Sequence, residues 1–207
     1  MKNGDKKFIG LDLDGVILNH ALMKIKLARK FGFKLKPEET QSEIMEKIIG
    51  ESIFDKLQMM AFSDPKFLKS APLMPGVKLG LATLQKNSLP FVLISRRREP
   101  SLAISVLKYY GLWPKFFDEK NTFFVAKPED KNVRAREIGV THYADDEMKV
   151  LDKLVDVENK FLFDNLGAFS AQGGSLSAGR HGALGGENTN GYIHVSSWKE
   201  LTNHFLK

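Results

Sequence analysis

Short apolar runs recur along this chain, all but one followed by a stretch with helical spacing. That alternation restricts the fold more than any other feature. The runs lie at residues 8–13, 89–95, 121–125, 142–145, 160–164 and 192–195. Between them, helical spacing covers residues 77–87, from Pro100 to Gly111, 129–138 up to Gly139, and 147–155. A last helix opens on a capping box at Ser197 and Glu200. A strand that reads as continuously apolar is buried on both faces, which happens in parallel sheets covered by helices on either side. The chain is therefore expected to be α/β, built from βαβ units around a parallel sheet.

One block breaks the alternation. Leu22, Ile25, Leu27, Ala28 and Phe31 keep helical spacing, with Gly32 as a stop signal. Pro37 opens a second helix that reaches Ile49 and stops at Gly50, residues 51–62 read as a third, and Asp64-Pro65 starts a short fourth. Residues 18–74 are thus expected to form a small α-helical domain inserted after the first strand, with 1–17 and 75–207 as the core. Phe31, Phe33, Phe54, Phe62 and Phe67 supply apolar bulk for that domain rather than a stacking platform. Residues 166–191 are rich in Gly and Ser and read as a long flexible loop. They lack the Lys-Ser/Thr ending of a phosphate-binding loop.

Composition removes several classes of function. The chain has no cysteine, which excludes disulfides, thiolate metal sites and a Cys nucleophile. No apolar run approaches the roughly 18 residues of a membrane span, so no membrane partner is expected. The first residues are charged and reach Gly-Leu-Asp-Leu-Asp by residue 14, unlike a signal peptide, and a cytoplasmic location is expected. The net charge of +6 favours anionic ligands: phosphorylated metabolites, nucleotides or nucleic acid. The basic residues are dispersed, with the densest cluster at Arg96, Arg97 and Arg98, so a solvated basic face is preferred to a nucleic-acid surface.

Ligands of open parallel sheets bind beyond the carboxyl ends of the strands. At those ends stand Asp12 and Asp14, Ser95, Asp145 and Asp146, and Asp164. Carboxylates converging on one edge repel one another unless a cation joins them, and an all-oxygen donor set favours Mg²⁺ over zinc. Each piece alone has a plainer reading: Asp-Gly as a hairpin turn, Ser95 as a helix cap, the acidic pair as a solvated helix start. Together, at strand ends and in this order, they point to one site. The five histidines, at 20, 142, 181, 194 and 204, show no metal-ligand spacing, and His20 reads as a polar helix start.

Residues 8–18, "FIGLDLDGVIL", resemble the first motif of the haloacid dehalogenase (HAD) superfamily; "FVLIS" at 91–95 resembles the second and "HYADD" at 142–146 the fourth. "PLMPGVKLGLATL" is similar to the stretch by which chains of that family re-enter the core. The resemblance implies a Rossmann-like core with a helical cap between the first and second motifs. It implies Asp12 as the nucleophile that forms an aspartyl-phosphate, and Asp14 as general acid and then base. It implies Mg²⁺ held by the Asp12 side chain, the Asp14 carbonyl and Asp145, with Asp146 supporting these ligands from behind. Ser95 would bind a phosphoryl oxygen and a lysine would neutralise it. Lys127, in a Lys-Pro pair, and Lys131, at the start of "KNVRAREIG", both qualify, and Lys131 is preferred. Arg96, where many members carry small or amide residues, is a candidate for a second substrate phosphate or carboxylate.

The leading expectation is a Mg²⁺-dependent phosphomonoesterase acting on a small phosphorylated metabolite, a nucleotide or a sugar phosphate. A phosphomutase would use the same aspartates. A response-regulator receiver carries its paired acids on the first strand and not late in the chain, so the order argues against it. A catalytically weak protein of the same fold, binding nucleotide or nucleic acid, is the remaining class, and the retained acidic pairs argue against it.

Overall fold

The computed structural model describes residues 7–63, 70–169 and 191–207. Six strands form one sheet: β1 (Ile9–Leu11), β2 (Phe91–Ser95), β3 (Thr122–Phe124), β4 (His142–Asp145), β5 (Asn159–Phe163) and β6 (Ile193–Val195). Their order is β3-β2-β1-β4-β5-β6 and every pair is parallel. β1 aligns Leu11 with Leu93 on one side and with Ala144 on the other. Chain order runs outward from β1 in both directions, so β1 and β4 flank the point where the winding reverses.

Alternate residues of the buried strands feed two cores. Phe91 and Leu93 of β2 join Val77, Leu81, Val106, Leu107, Trp198 and Phe205. These come from α4 (Val77–Lys86), α5 (Pro100–Tyr109) and α8 (Trp198–Leu206), numbered in chain order with the helices named below. Val92 and Ile94 face the other way and meet Ala135 of α6 (Pro128–Ile138) and Leu151 of α7 (Met148–Leu151). The period-two split is what makes the apolar runs continuous in sequence.

The helical block contains α1 (Ala21–Lys30), a 3-10 turn (Pro37–Thr40), α2 (Ser42–Ile49) and α3 (Glu51–Ser63). Met23, Leu27, Met45, Ile49, Phe54 and Leu57 give it an apolar cluster of its own. The chain enters and leaves it through adjacent segments, with Leu18 bridged antiparallel to Leu73 and Met74 N–H bonded to Ile17 O at 2.8 Å.

Several boundaries differ from the sequence expectation. The helix expected from Pro37 to Ile49 breaks at Gln41, whose extended backbone lets its side chain accept from Ile44 N–H and cap α2. The helix expected over 147–155 ends at Leu151, and Leu154 and Val157 turn inward to the second core. In the capping box, Ser197 Oγ accepts from Glu200 N–H, while the Glu200 carboxylate accepts from Ser196 N–H, one residue early. On α1, Ile25, Leu27 and Ala28 are buried as the apolar stripe requires, but Leu22 is 62% exposed and Lys24 only 7%. The helix start expected at Asp64-Pro65, Phe67, His181 and most of the Gly-rich stretch lie outside the described residues. Among the described residues no helix is long and apolar enough to cross a membrane.

Gly10 is required by close approach. Tyr143, wholly buried on β4, reaches across β1 to donate its hydroxyl to Ile94 O of β2 at 2.9 Å, and a Cβ on Gly10 would lie 2.3 Å from its ring. Gly10→Ala is expected to cost about 1–3 kcal/mol by overpacking, measured by denaturant unfolding. Leu22→Ala, at an exposed site, should stay within about 0.5 kcal/mol of the parent.

Candidate active site

The register that ends at Leu11 and Ala144 brings the next residues, Asp12 and Asp145, side by side, and Asp12 N–H donates to Ala144 O at 3.0 Å. Lys131 arrives from α6, the helix that leads into β4. Its Nζ lies 2.8 Å from Asp12 Oδ1 and 2.8 Å from Asp145 Oδ2, with the residue 1% exposed. A third carboxylate belongs to Asp146: oxygens of Asp12, Asp145 and Asp146 lie within 4.8 Å of one another. Gly15 makes room for it. With φ at +82°, a Cβ there would fall 2.1 Å from the Asp146 carboxyl carbon.

Two carboxylates on one ammonium, with the half-buried Asp146 carboxylate beside them, leave excess negative charge at the strand ends. Burial pushes the Asp12 carboxyl up to about 7, against the pull of Lys131 and with help from the Asp145 and Asp14 carboxylates. Burial also raises Asp145, against Lys131, and raises Asp146 well above the usual range with Glu147 and Asp145 beside it. Lys131 is held firmly protonated by Asp12 and Asp145 despite its own burial. An uncompensated buried carboxylate group of this kind fits a hard divalent cation with oxygen ligands. Asp146, expected behind the ligands, supplies an oxygen to the same group.

Asp14 faces a different set of partners. Arg97 holds it with a two-pronged contact, Nε to Oδ2 and Nη2 to Oδ1, both 2.7 Å, and His20 Nε2 lies 2.6 Å from Oδ1. Against the upward push of burial, Arg97 and His20 keep the Asp14 carboxyl well below its usual range. Burial lowers the proton affinity of His20 against the pull of Asp14. Phe62 of α3 closes the group, its ring centroid 4.2 Å from the Arg97 guanidinium carbon and 5.3 Å from the His20 ring. As found, Asp14 is an ionised carboxylate and thus a proton acceptor.

The other candidates separate. Ser95 is buried at the end of β2, its Oγ accepting from Arg97 N–H at 3.3 Å. Arg96 pairs with Glu147, Nη2 to Oε2 at 2.7 Å. Lys127 is exposed at the N-terminus of α6, where its N–H is bonded by Asp130. Of the two candidate lysines, Lys131 is the one at Asp12. Asp164 accepts from Ala168 and Phe169 N–H and so holds a turn.

A cavity of about 500 Å³ lies between the strand ends and the helical block, with Asp12, Asp14, Arg96 and Asp146 on one side and Gln58 and Phe62 on the other. Ser95, Lys131 and Asp145 are not among the residues that line it. Gln41 Nε2 donates to Asp146 O at 3.1 Å and Lys149 N–H to Glu43 at 3.0 Å, which fixes the helical block over the core.

Sequence reasoning passed over Arg97, Lys24 and the partnership of His20 with Asp14. A signal for Arg97 was present: past an extended strand, Ser95 and Arg97 share a face by period two. For Lys24, three residues into an amphipathic helix, no sequence signal marks it as buried.

No protein-family model matches the chain, and no curated protein matches it. Solved structures do. A protein described as a predicted phosphatase from Clostridium acetobutylicum is similar over 97% of this chain and 98% of its own, with TM-score 0.61 and 12% identity. A HAD-superfamily hydrolase from Ehrlichia chaffeensis is similar over 96% and 95%, with TM-score 0.54 and 11% identity. A HAD-superfamily hydrolase of subfamily IA, variant 1, from Geobacter sulfurreducens is similar over 98% of both chains, with TM-score 0.54 and 13% identity. The strand order, the helical insertion after β1 and these likenesses together give the chain the fold of HAD-superfamily hydrolases.

Proposed function

We propose that this protein is a Mg²⁺-dependent phosphomonoester hydrolase that works through an aspartyl-phosphate on Asp12. The observation that carries the reading is the Asp12 carboxylate, gathered with Asp145 and Asp146 and bonded to Lys131, at the winding reversal of the sheet. The likeness of fold to hydrolases and a phosphatase agrees with it.

In the first half-reaction an Asp12 oxygen attacks phosphorus, the P–O bond to the alcohol breaks, and the leaving alkoxide takes its proton from Asp14, which enters this step protonated and leaves it ionised. Lys131 holds Asp12 in line and offsets charge that builds on the phosphoryl oxygens. Ser95 Oγ already accepts from Arg97 N–H, which leaves its O–H to donate to a phosphoryl oxygen. In the second half-reaction water attacks the phosphorus, Asp14 takes its proton, and the Asp12–phosphorus bond breaks to release inorganic phosphate. Asp14 as an ionised carboxylate suits this second role. The acid role in the first half needs a proton that it does not carry while Arg97 and His20 hold it. Mg²⁺ on Asp12, Asp145 and Asp146 would offset the repulsion between an anionic nucleophile and an anionic substrate. The helical block, as a cap, would set the substrate through the residues it turns into the cavity.

Phosphate release from a chromogenic phosphomonoester is expected only with Mg²⁺. Asp12→Asn should lower it by more than about 10³-fold, and Lys131→Met by about 10²–10³-fold, in variants with unchanged circular dichroism. Turnover that survives Asp12→Asn would sink the covalent route. Transfer between two hydroxyls of one sugar phosphate without phosphate release would identify a mutase instead.

Metal binding should displace a proton. Mg²⁺ affinity, measured by calorimetry, is expected to rise about tenfold per pH unit below neutrality and to level off above the point near 7 where Asp12 ionises. An affinity that does not change between pH 5.5 and 8, on the scale of about one unit, would contradict the assignment of Asp12 as a ligand.

A further inference from the structure

Two cations on the cavity wall remain unsatisfied after the site has been assigned. Arg97, 6% exposed, commits Nε and Nη2 to Asp14, while its buried Nη1 has no hydrogen-bond partner among the described residues. Lys24, 7% exposed, donates to Thr40 O at 3.0 Å and to Ser42 Oγ at 3.2 Å, both neutral acceptors. No carboxylate of the described residues is in ion-pair contact with it. Both side chains line the cavity. Asp146, Glu147 and Asp14 act on Lys24 only from beyond ion-pair contact, and a buried ammonium bonded only to neutral oxygens and a buried guanidinium with an idle N–H are each costly in the absence of a ligand.

His20 joins the two. It sits one helical turn before Lys24, whose N–H bonds His20 O at 2.9 Å, and both Lys24 and Arg97 act on it electrostatically. With its Nε2 hydrogen on Asp14, the neutral ring presents a bare Nδ1, which is buried and also without a partner. That atom accepts from a hydroxyl and does not attract an anion. The wall therefore reads as cation, acceptor, cation.

We propose that Arg97 and Lys24 form a second oxyanion subsite, so that the substrate is a phosphomonoester carrying a further carboxylate or phosphate. This rests on the phosphomonoesterase reading above and narrows it. A nucleoside monophosphate is disfavoured, because away from its single phosphate it offers the wall nothing anionic. Arg96, considered for this task from sequence, is already paired with Glu147. If Lys24 served only to tether residues 40–42, a neutral donor would do so without burying a charge.

Three substrates test this: glycerol 3-phosphate, 3-phosphoglycerate, in which a carboxylate replaces the free primary alcohol, and glycerol 1,3-bisphosphate. With Mg²⁺ present, kcat/KM for at least one of the two acid-bearing compounds should exceed that for glycerol 3-phosphate by about tenfold or more. The better of the two identifies the second anion. Lys24→Gln keeps a donor for Thr40 O but removes the charge. It should bring the ratio to about one, with a melting temperature close to that of the parent. Equal kcat/KM for all three compounds, or a loss in Lys24→Gln that is the same for all three, would overturn the subsite. Calorimetry on the wild type separates the two readings. If nothing is hydrolysed, yet an acid-bearing compound binds more tightly than glycerol 3-phosphate and Lys24→Gln removes that preference, the hydrolase reading fails and the subsite stands. Equal binding of the three compounds overturns the subsite whatever the turnover.

Discussion

Two buried carboxylates meet at one ammonium with a third, half-buried carboxylate beside them, and most of the architecture around the site follows from making that tolerable. Asp12 and Asp145 are neighbours because β1 and β4 are neighbours, in a register that ends one residue short of each. Lys131 reaches both because α6 is the crossover helix that delivers β4. Gly15 lacks a side chain where Asp146 needs space. Around the cavity and its floor, five carboxylates (Asp12, Asp14, Asp145, Asp146 and Glu147) face four cations (Lys24, Arg96, Arg97 and Lys131), with His20 held towards its neutral form. Such a balance is slightly negative. A divalent cation would reverse its sign and make the site attractive to a phosphate dianion.

The helical block shares directly in this chemistry. His20, from the segment that leads into α1, and Arg97, from the loop after β2, grip the same carboxylate, and Phe62 of α3 covers both. Gln41 uses one side-chain amide for two tasks: its oxygen caps α2 and its nitrogen holds the carbonyl of Asp146. The orientation of Asp14 thus depends on both parts of the molecule. A shift of the helical block that withdrew His20 and Phe62 would leave Asp14 on Arg97 alone and ease the restraint on its proton affinity.

How much of this was legible in the sequence depends on the period that carried each signal. The sheet was legible because strands buried on both faces leave continuous apolar runs, and β4 falls at residues 142–145 as read. The strand-end acids were legible because parallel topology sends every such end to one edge. What escaped was set by contacts distant in sequence. Lys24 looks like the polar side of an amphipathic helix until Thr40 and Ser42 fold back to accept its hydrogens. His20 looks like a helix start, and it does occupy the N-cap of α1, but it makes no capping bond there and turns its ring to Asp14. Gln41 interrupts a helical pattern that its own composition would have continued.

The three consecutive arginines show why charge counted along a sequence is a poor guide to charge on a surface. Beyond β2 their side chains go to different places. Arg97 turns inward to Asp14, Arg96 leans to Glu147, and Arg98 is exposed to solvent. Two of the three densest positive charges are therefore consumed by internal carboxylates. Lys131, wholly interior, is lost to the surface as well, and so is most of Lys24. Five carboxylates, Asp12, Asp14, Asp145, Asp146 and Glu147, are withdrawn together with these four cations, so the basic excess behind the net charge of +6 stays with the rest of the chain. Arg97 and Lys24 thus line the cavity that a compact anion would enter, while the net positive charge belongs to residues outside it.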